Sequence, residues 1–85
     1  MVEPAQIRAA RGLLALSQAE LADLASVSVA SVKRIETAGG VRGAAETLWK
    51  IQRALEAAGV EFISEDAGRG AGVRFKQAQG RVASS

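Results

Sequence analysis

Residues 17–36 read SQAELADLASVSVASVKRIE, and their spacing decides how the rest of the chain is read. Ser17 stands where a helix N-cap belongs. Glu20 follows three positions later, so each side chain can satisfy the other's backbone N–H. Leu21, Ala22, Leu24 and Ala25 then form the apolar side of a short helix. Ser26-Val27-Ser28 interrupts that helix. Val27 can pack inward at the turn, and Ser28 can cap a second short helix whose inner side carries Val32 and Ile35. Ala22 is small at the point where one helix must cross the other closely. The outer side of the second helix is left with Val29, Ala30, Lys33 and Arg34.

Upstream, Pro4 suits the first turn of a helix, where its missing N–H is not needed. Ile7, Ala10, Leu13 and Leu14 recur at helical spacing, with Arg8 and Arg11 between them. Downstream, residues 37–43 hold three glycines and read as a loop. Residues 44–58 form a further helix, with Leu48, Ile51, Leu55 and Ala58 on one face and Gly59 at the place of a left-handed C-cap. The period then shortens. Residues 60–63 (VEFI) and 73–76 (VRFK) read as short strands, and the Gly-, Asp- and Ala-rich residues 64–72 as a flexible connection. These strands can pair as a hairpin within one chain or across a dimer. The expected fold is mainly α: four helices and a short C-terminal two-stranded β element. Residues 1–63 make one domain, residues 60–76 the β element and candidate dimer seam, and residues 77–85 a flexible tail.

With 85 residues, 48% of them apolar, the chain has room for one small cored domain. It contains no cysteine and no histidine, which removes disulfides, thiolate metal sites, cysteine nucleophiles and histidine bases. The net charge of +2 is by itself a weak pointer to nucleic acid. No apolar run is long enough for a bilayer, and residues 1–6 lack a signal-peptide pattern, so a cytoplasmic protein with no membrane partner is expected. Glu61, Glu65 and Asp66 cluster without a partner base and read as surface. The glycines of residues 68–72 (GRGAG) lack the lysine and the strand-loop-helix setting of a phosphate loop. No enzyme activity, metal or cofactor is expected.

Two short helices joined by a tight turn, one side buried and one side free, make a helix-turn-helix unit, and the free side of its second helix fits the major groove of DNA. The pattern Gln18, Leu21-Ala22, Val27-Ser28 and Ile35-Glu36 resembles the Xre-type family, which includes the Cro- and CI-like repressors of lambdoid phages. The resemblance covers residues 5–58. It implies a lambda-repressor-like four-helix fold and a transcriptional regulator of double-stranded DNA. By position, it implies that Gln18 and Ser28 bond phosphates, that Val29, Ala30, Lys33 and Arg34 face bases or nearby backbone, and that Arg42 reaches flanking phosphates. It also implies a structural ion pair between Arg11 and Glu36. Two departures stand out. Ser26 occupies the turn position where the family usually has Gly, and Val29 and Ala30 are apolar where the phage repressors often carry Gln, Ser or Arg.

Three functions fit these residues. The first is a dimeric repressor that places residues 29–38 in the major groove. The second is a protein-binding module of the same fold, an antiactivator that masks another regulator. The third is the antitoxin of a toxin–antitoxin pair, which nothing in the residues separates from the first. Trp49 lies one position off the apolar stripe of its helix and reads either as a lid on the core or as a dimer or partner anchor. Phe62, Val73 and Phe75 read as core or as dimer seam. Each polar candidate has a plainer reading too: Gln18 as a solvated helix start, Lys33 and Arg34 as a solvated face, and Arg74, Lys76 and Arg81 as edge charges that discourage aggregation.

Overall fold

A computed structural model of the chain describes residues 2–37 and 45–78. Four helices, α1 (Pro4–Leu14), α2 (Gln18–Ala25), α3 (Val29–Thr37) and α4 (Ala45–Ala57), are followed by β1 (Val60–Ile63) and β2 (Gly72–Phe75). The mainly helical architecture with a small antiparallel sheet is the one expected. The loop at residues 38–44, and Arg42 with it, lies outside the described residues, as does the tail from residue 79 onward.

The helix ends follow from local chemistry. Pro4 is the first residue of α1, and the backbone N–H of Glu3 donates to Gln6 Oε1 at 2.7 Å. At α2, the Glu20 N–H donates to Ser17 Oγ (3.0 Å) and the Ser17 N–H donates to Glu20 Oε1 (2.8 Å), a reciprocal cap. Ser28 Oγ accepts from the Ser31 N–H at 3.0 Å and so caps α3. Both α1 and α2 close through a left-handed residue that is not glycine: Ala15 (φ 57°, ψ 39°) and Ser26 (φ 58°, ψ 45°). The N–H two residues past each helix reaches back to a carbonyl of the last turn, Leu16 to Arg11 and Val27 to Ala22, both at 3.0 Å.

The core comprises Ile7, Ala10, Leu21, Ala22, Ala25, Val32, Ile35, Ile51, Leu55 and Val60, contributed by all four helices and β1. Val27 packs against it from the turn, as the sequence predicts. Two leucines assigned to inner faces lie outside: Leu13 is 40% exposed and Leu24 57% exposed. The reason is angular. Leu21, Ala22 and Ala25 define the buried side of α2, and Leu24 falls roughly 110° from its centre at 100° per residue. Likewise α1 buries Gln6, Ile7 and Ala10, leaving Leu13 beyond the flank. Ala58 is also exposed and lies past the end of α4.

The two strands pair with each other within the chain, with Val60 opposite Phe75, Glu61 opposite Arg74, Phe62 opposite Val73 and Ile63 opposite Gly72. Strand β2 therefore begins one residue earlier than the spacing suggested. Val60, Phe62, Val73 and Phe75 share the face laid on the helical core. On the other face Arg74 meets Glu61 at 2.8 Å. Within the connection, Asp66 and Arg69 exchange both backbone hydrogen bonds around Ala67 (φ 47°) and Gly68 (φ 84°), a two-residue hairpin turn inside a stretch that had read as featureless. The buried Gln6 amide donates to the Gly72 carbonyl at 2.8 Å and the Ile63 carbonyl at 3.3 Å, tying the start of α1 to the end of the hairpin.

A left-handed backbone is strained for a residue with a Cβ and free of strain for glycine. The Ser26→Gly variant is therefore expected to gain about 1 kcal/mol of stability. The check is a urea titration, in which the midpoint rises while the slope stays unchanged.

Candidate nucleic-acid interface

Helix α3 is sorted into two sides. Val32, Ile35 and Glu36 are buried, while Val29, Ala30, Lys33, Arg34 and Thr37 are exposed. The exposed side changes character along its length. Its first turn is apolar, with Val29 38% exposed and Ala30 beside it, and its second turn is cationic. Ser28 and Ser31 bond each other through their hydroxyls at 2.9 Å, and Thr37 Oγ1 donates to the Lys33 carbonyl at 2.8 Å.

The inner side is held by an ionic cluster. The Glu36 carboxylate is 1% exposed as a residue. Arg11 grips it with two parallel bonds, Nε to Oε2 at 2.8 Å and Nη2 to Oε1 at 3.2 Å. The same guanidinium donates through Nη1 to the Leu16 carbonyl at 3.0 Å, in the connection to α2. Gln18 Nε2, at the first residue of α2, donates to Glu36 Oε1 at 3.0 Å. Arg8 donates to the Glu36 backbone carbonyl near the end of α3. A fork-shaped cation facing a carboxylate is the strongest such pairing available to side chains. Here it locks α1, the start of α2 and the end of α3 into one body.

This places the sequence-derived residues as follows. Val29, Ala30, Lys33 and Arg34 are brought together on one exposed face. Arg11 and Glu36 meet, joined by Gln18, whose amide faces the ion pair. The Ser28 hydroxyl is turned to the cap of its own helix. Trp49 is not a lid on the core: it is 60% exposed on α4, with the Arg53 guanidinium carbon 5.7 Å from its ring centre. Phe62, Val73 and Phe75 are half-buried against the chain's own core. Gln6 and Arg8 were not singled out beforehand. Gln6 carried a signal, because it follows Glu3 at the capping-box distance. Arg8 carried none, since its acceptor is a backbone carbonyl 28 positions away.

Elsewhere, an open cleft of about 510 Å³ is lined by Glu3, Gln52, Glu56 and Glu65 among others, with no residue of α3. Among the described residues no cluster of His, Cys, Asp or Glu could hold a metal ion, and no helix is long and apolar enough to cross a membrane.

Two short helices at a tight turn, with the second offering a partly cationic outer face, define a helix-turn-helix module. The helix-turn-helix family model matches residues 7–62, from the first core residue of α1 into β1. The chain belongs to this Xre- and lambda-repressor-like family, whose members are DNA-binding regulators. No curated protein matches the chain.

The cluster has an asymmetric energetic consequence. Replacing Arg11 by Met strands a buried carboxylate and is expected to destabilise by about 3–5 kcal/mol. Glu36→Gln keeps the shape and leaves a cation that can turn to solvent, so about 1–3 kcal/mol is expected. Chemical denaturation of the two variants and of the double variant should show this order and a strong departure from additivity.

Proposed function

We infer that the protein is a cytoplasmic transcriptional repressor that binds an operator as a homodimer, with α3 in the major groove of each half-site. The observation that carries this reading is the sorting of α3: one side wholly committed to the core, the other free and carrying Lys33 and Arg34. Helix N-terminal residues contact base edges in this docking mode, which brings Val29 and Ala30 to the bases and Lys33 and Arg34 to bases or phosphates just beyond. The N-terminus of α2, with its backbone N–H groups outside the helical ladder, faces a phosphate. Gln18 acts there through its position, its amide being held by Glu36, and Ser28, at the turn into α3, is assigned to a phosphate as well. Arg42 is assigned to flanking phosphates. Arg11 and Glu36 serve folding.

Dimerisation is supported by Trp49, a large side chain exposed on a helix that also contributes Ile51 and Leu55 to the core. Phe62, Val73 and Phe75 support the seam from beneath, by holding the hairpin against the end of α4, rather than by exchanging strands. A second reading is favoured by the apolar start of α3: a protein-binding module, an antiactivator that masks another regulator. The low net charge of +2 suits that reading as well.

Binding to a duplex from the protein's own upstream region, against a scrambled duplex across a salt series, separates the two. The repressor reading expects specific binding whose logarithm falls with log salt by about 0.9 per contacted phosphate, with Arg34→Ala costing about 1–3 kcal/mol of specific affinity. Sequence-blind, weak binding supports the protein-binding module instead. For the dimer, sedimentation equilibrium should show Trp49→Ala shifting the population toward monomer, with the helical circular dichroism retained. A wild-type chain that stays monomeric at micromolar concentration would contradict the dimer.

A further inference from the structure

On the DNA-binding reading, the exposed face of α3 carries information about what it reads. Side chains that identify a base by paired hydrogen bonds are amides, guanidinium groups and carboxylates. The first turn of α3 offers none. Val29 and Ala30 present only carbon, and the hydroxyls of Ser28 and Ser31 bond each other. Two exposed apolar side chains at the position closest to the base edges match one feature of the major groove, the C5-methyl group of thymine. One turn later, about 6 Å along the helix axis, Lys33 and Arg34 match the O6 and N7 acceptors of guanine.

We propose that Val29 and Ala30 form a methyl-reading shelf, and that the half-site is centred on thymine with guanine one or two base pairs away. The proposal rests on the DNA-binding reading and names what that site recognises. Burying one methyl group changes affinity by about fourfold. Because 5-methylcytosine carries its methyl at the same ring position as thymine, the shelf also senses cytosine methylation at that place.

The test uses the full chain and a duplex enriched by it from a random-sequence library. Replacing the central thymine by deoxyuracil removes only the methyl, and affinity is expected to fall about fourfold. At a duplex carrying cytosine there, adding the 5-methyl group is expected to raise affinity by a similar factor. In Val29→Ala the thymine-to-deoxyuracil difference should shrink below about twofold, with the salt dependence unchanged. That substitution puts a better helix former at the first residue of α3, so folding is not at risk. Specific binding that is indifferent to deoxyuracil, or a thymine preference that survives intact in Val29→Ala, overturns the shelf and leaves the regulator reading standing. Enrichment of no duplex over scrambled DNA overturns both, and points the apolar turn at a protein partner.

Discussion

Glu36 carries a charge into the interior of a very small domain, and the placement of α3 follows from how that charge is met. A buried carboxylate without partners is prohibitively unfavourable. With the Arg11 fork and the Gln18 amide in place, it becomes a three-way joint between helices that otherwise meet through apolar side chains. Apolar contacts are non-directional, whatever the mix of alanine and branched side chains in the core. The ion pair adds direction. It is a two-pronged bond with one satisfactory geometry, reinforced by Arg11 on the Leu16 carbonyl and Arg8 on the Glu36 carbonyl. Such a pair is costly to break from one side, while adding little net stability over apolar side chains of the same volume.

The two connections that flank α2 are built alike and under similar strain. Each closes its preceding helix with a left-handed residue, Ala15 or Ser26, where glycine would be unstrained. Both are forced by the same requirement: the next residue, Leu16 or Val27, must turn back onto the core. Burial of those side chains and the returning hydrogen bonds offset the backbone cost. The short α2 thus has its ends pinned by capping chemistry at Ser17 and Glu20 and by packing at Val27. This arrangement lets eight residues hold the following turn and the start of α3 in place.

Legibility from sequence tracks how local the cause is. The caps at Ser17, Glu20 and Ser28, the positions of all four helices and the first strand depend on neighbours three or four residues apart, and each was readable. Side-chain direction was readable where the apolar stripe was narrow and misleading where leucines flanked it, at Leu13 and Leu24, because a period marks a face only to within a residue. The turn at Ala67-Gly68 was hidden because alanine is an unusual occupant of a positive φ. The bridge from Gln6 to Ile63 and Gly72 spans more than fifty positions and left only its capping-box spacing in the sequence. For the interface, the exposed set Val29, Ala30, Lys33 and Arg34 was legible because it is the complement of a strongly patterned buried side.

The modest chemistry of this face bears on assembly. On the DNA-binding reading, one copy of α3 offers a single bidentate guanine contact worth about 1–3 kcal/mol and one thymine-methyl contact worth about 0.8 kcal/mol. That gives one copy roughly 2–4 kcal/mol of discrimination, at or below the low end of the 4–10 kcal/mol or so that separates specific from non-specific binding in working regulators. A net charge of +2 adds little non-specific attraction to compensate. Two copies related by a two-fold axis double the discrimination to roughly 4–8 kcal/mol without any new contact per copy. On the same reading, a recognition helix this sparse gains specificity from being presented in pairs, and the dimer contact proposed at the exposed Trp49 on α4 is the means of pairing it.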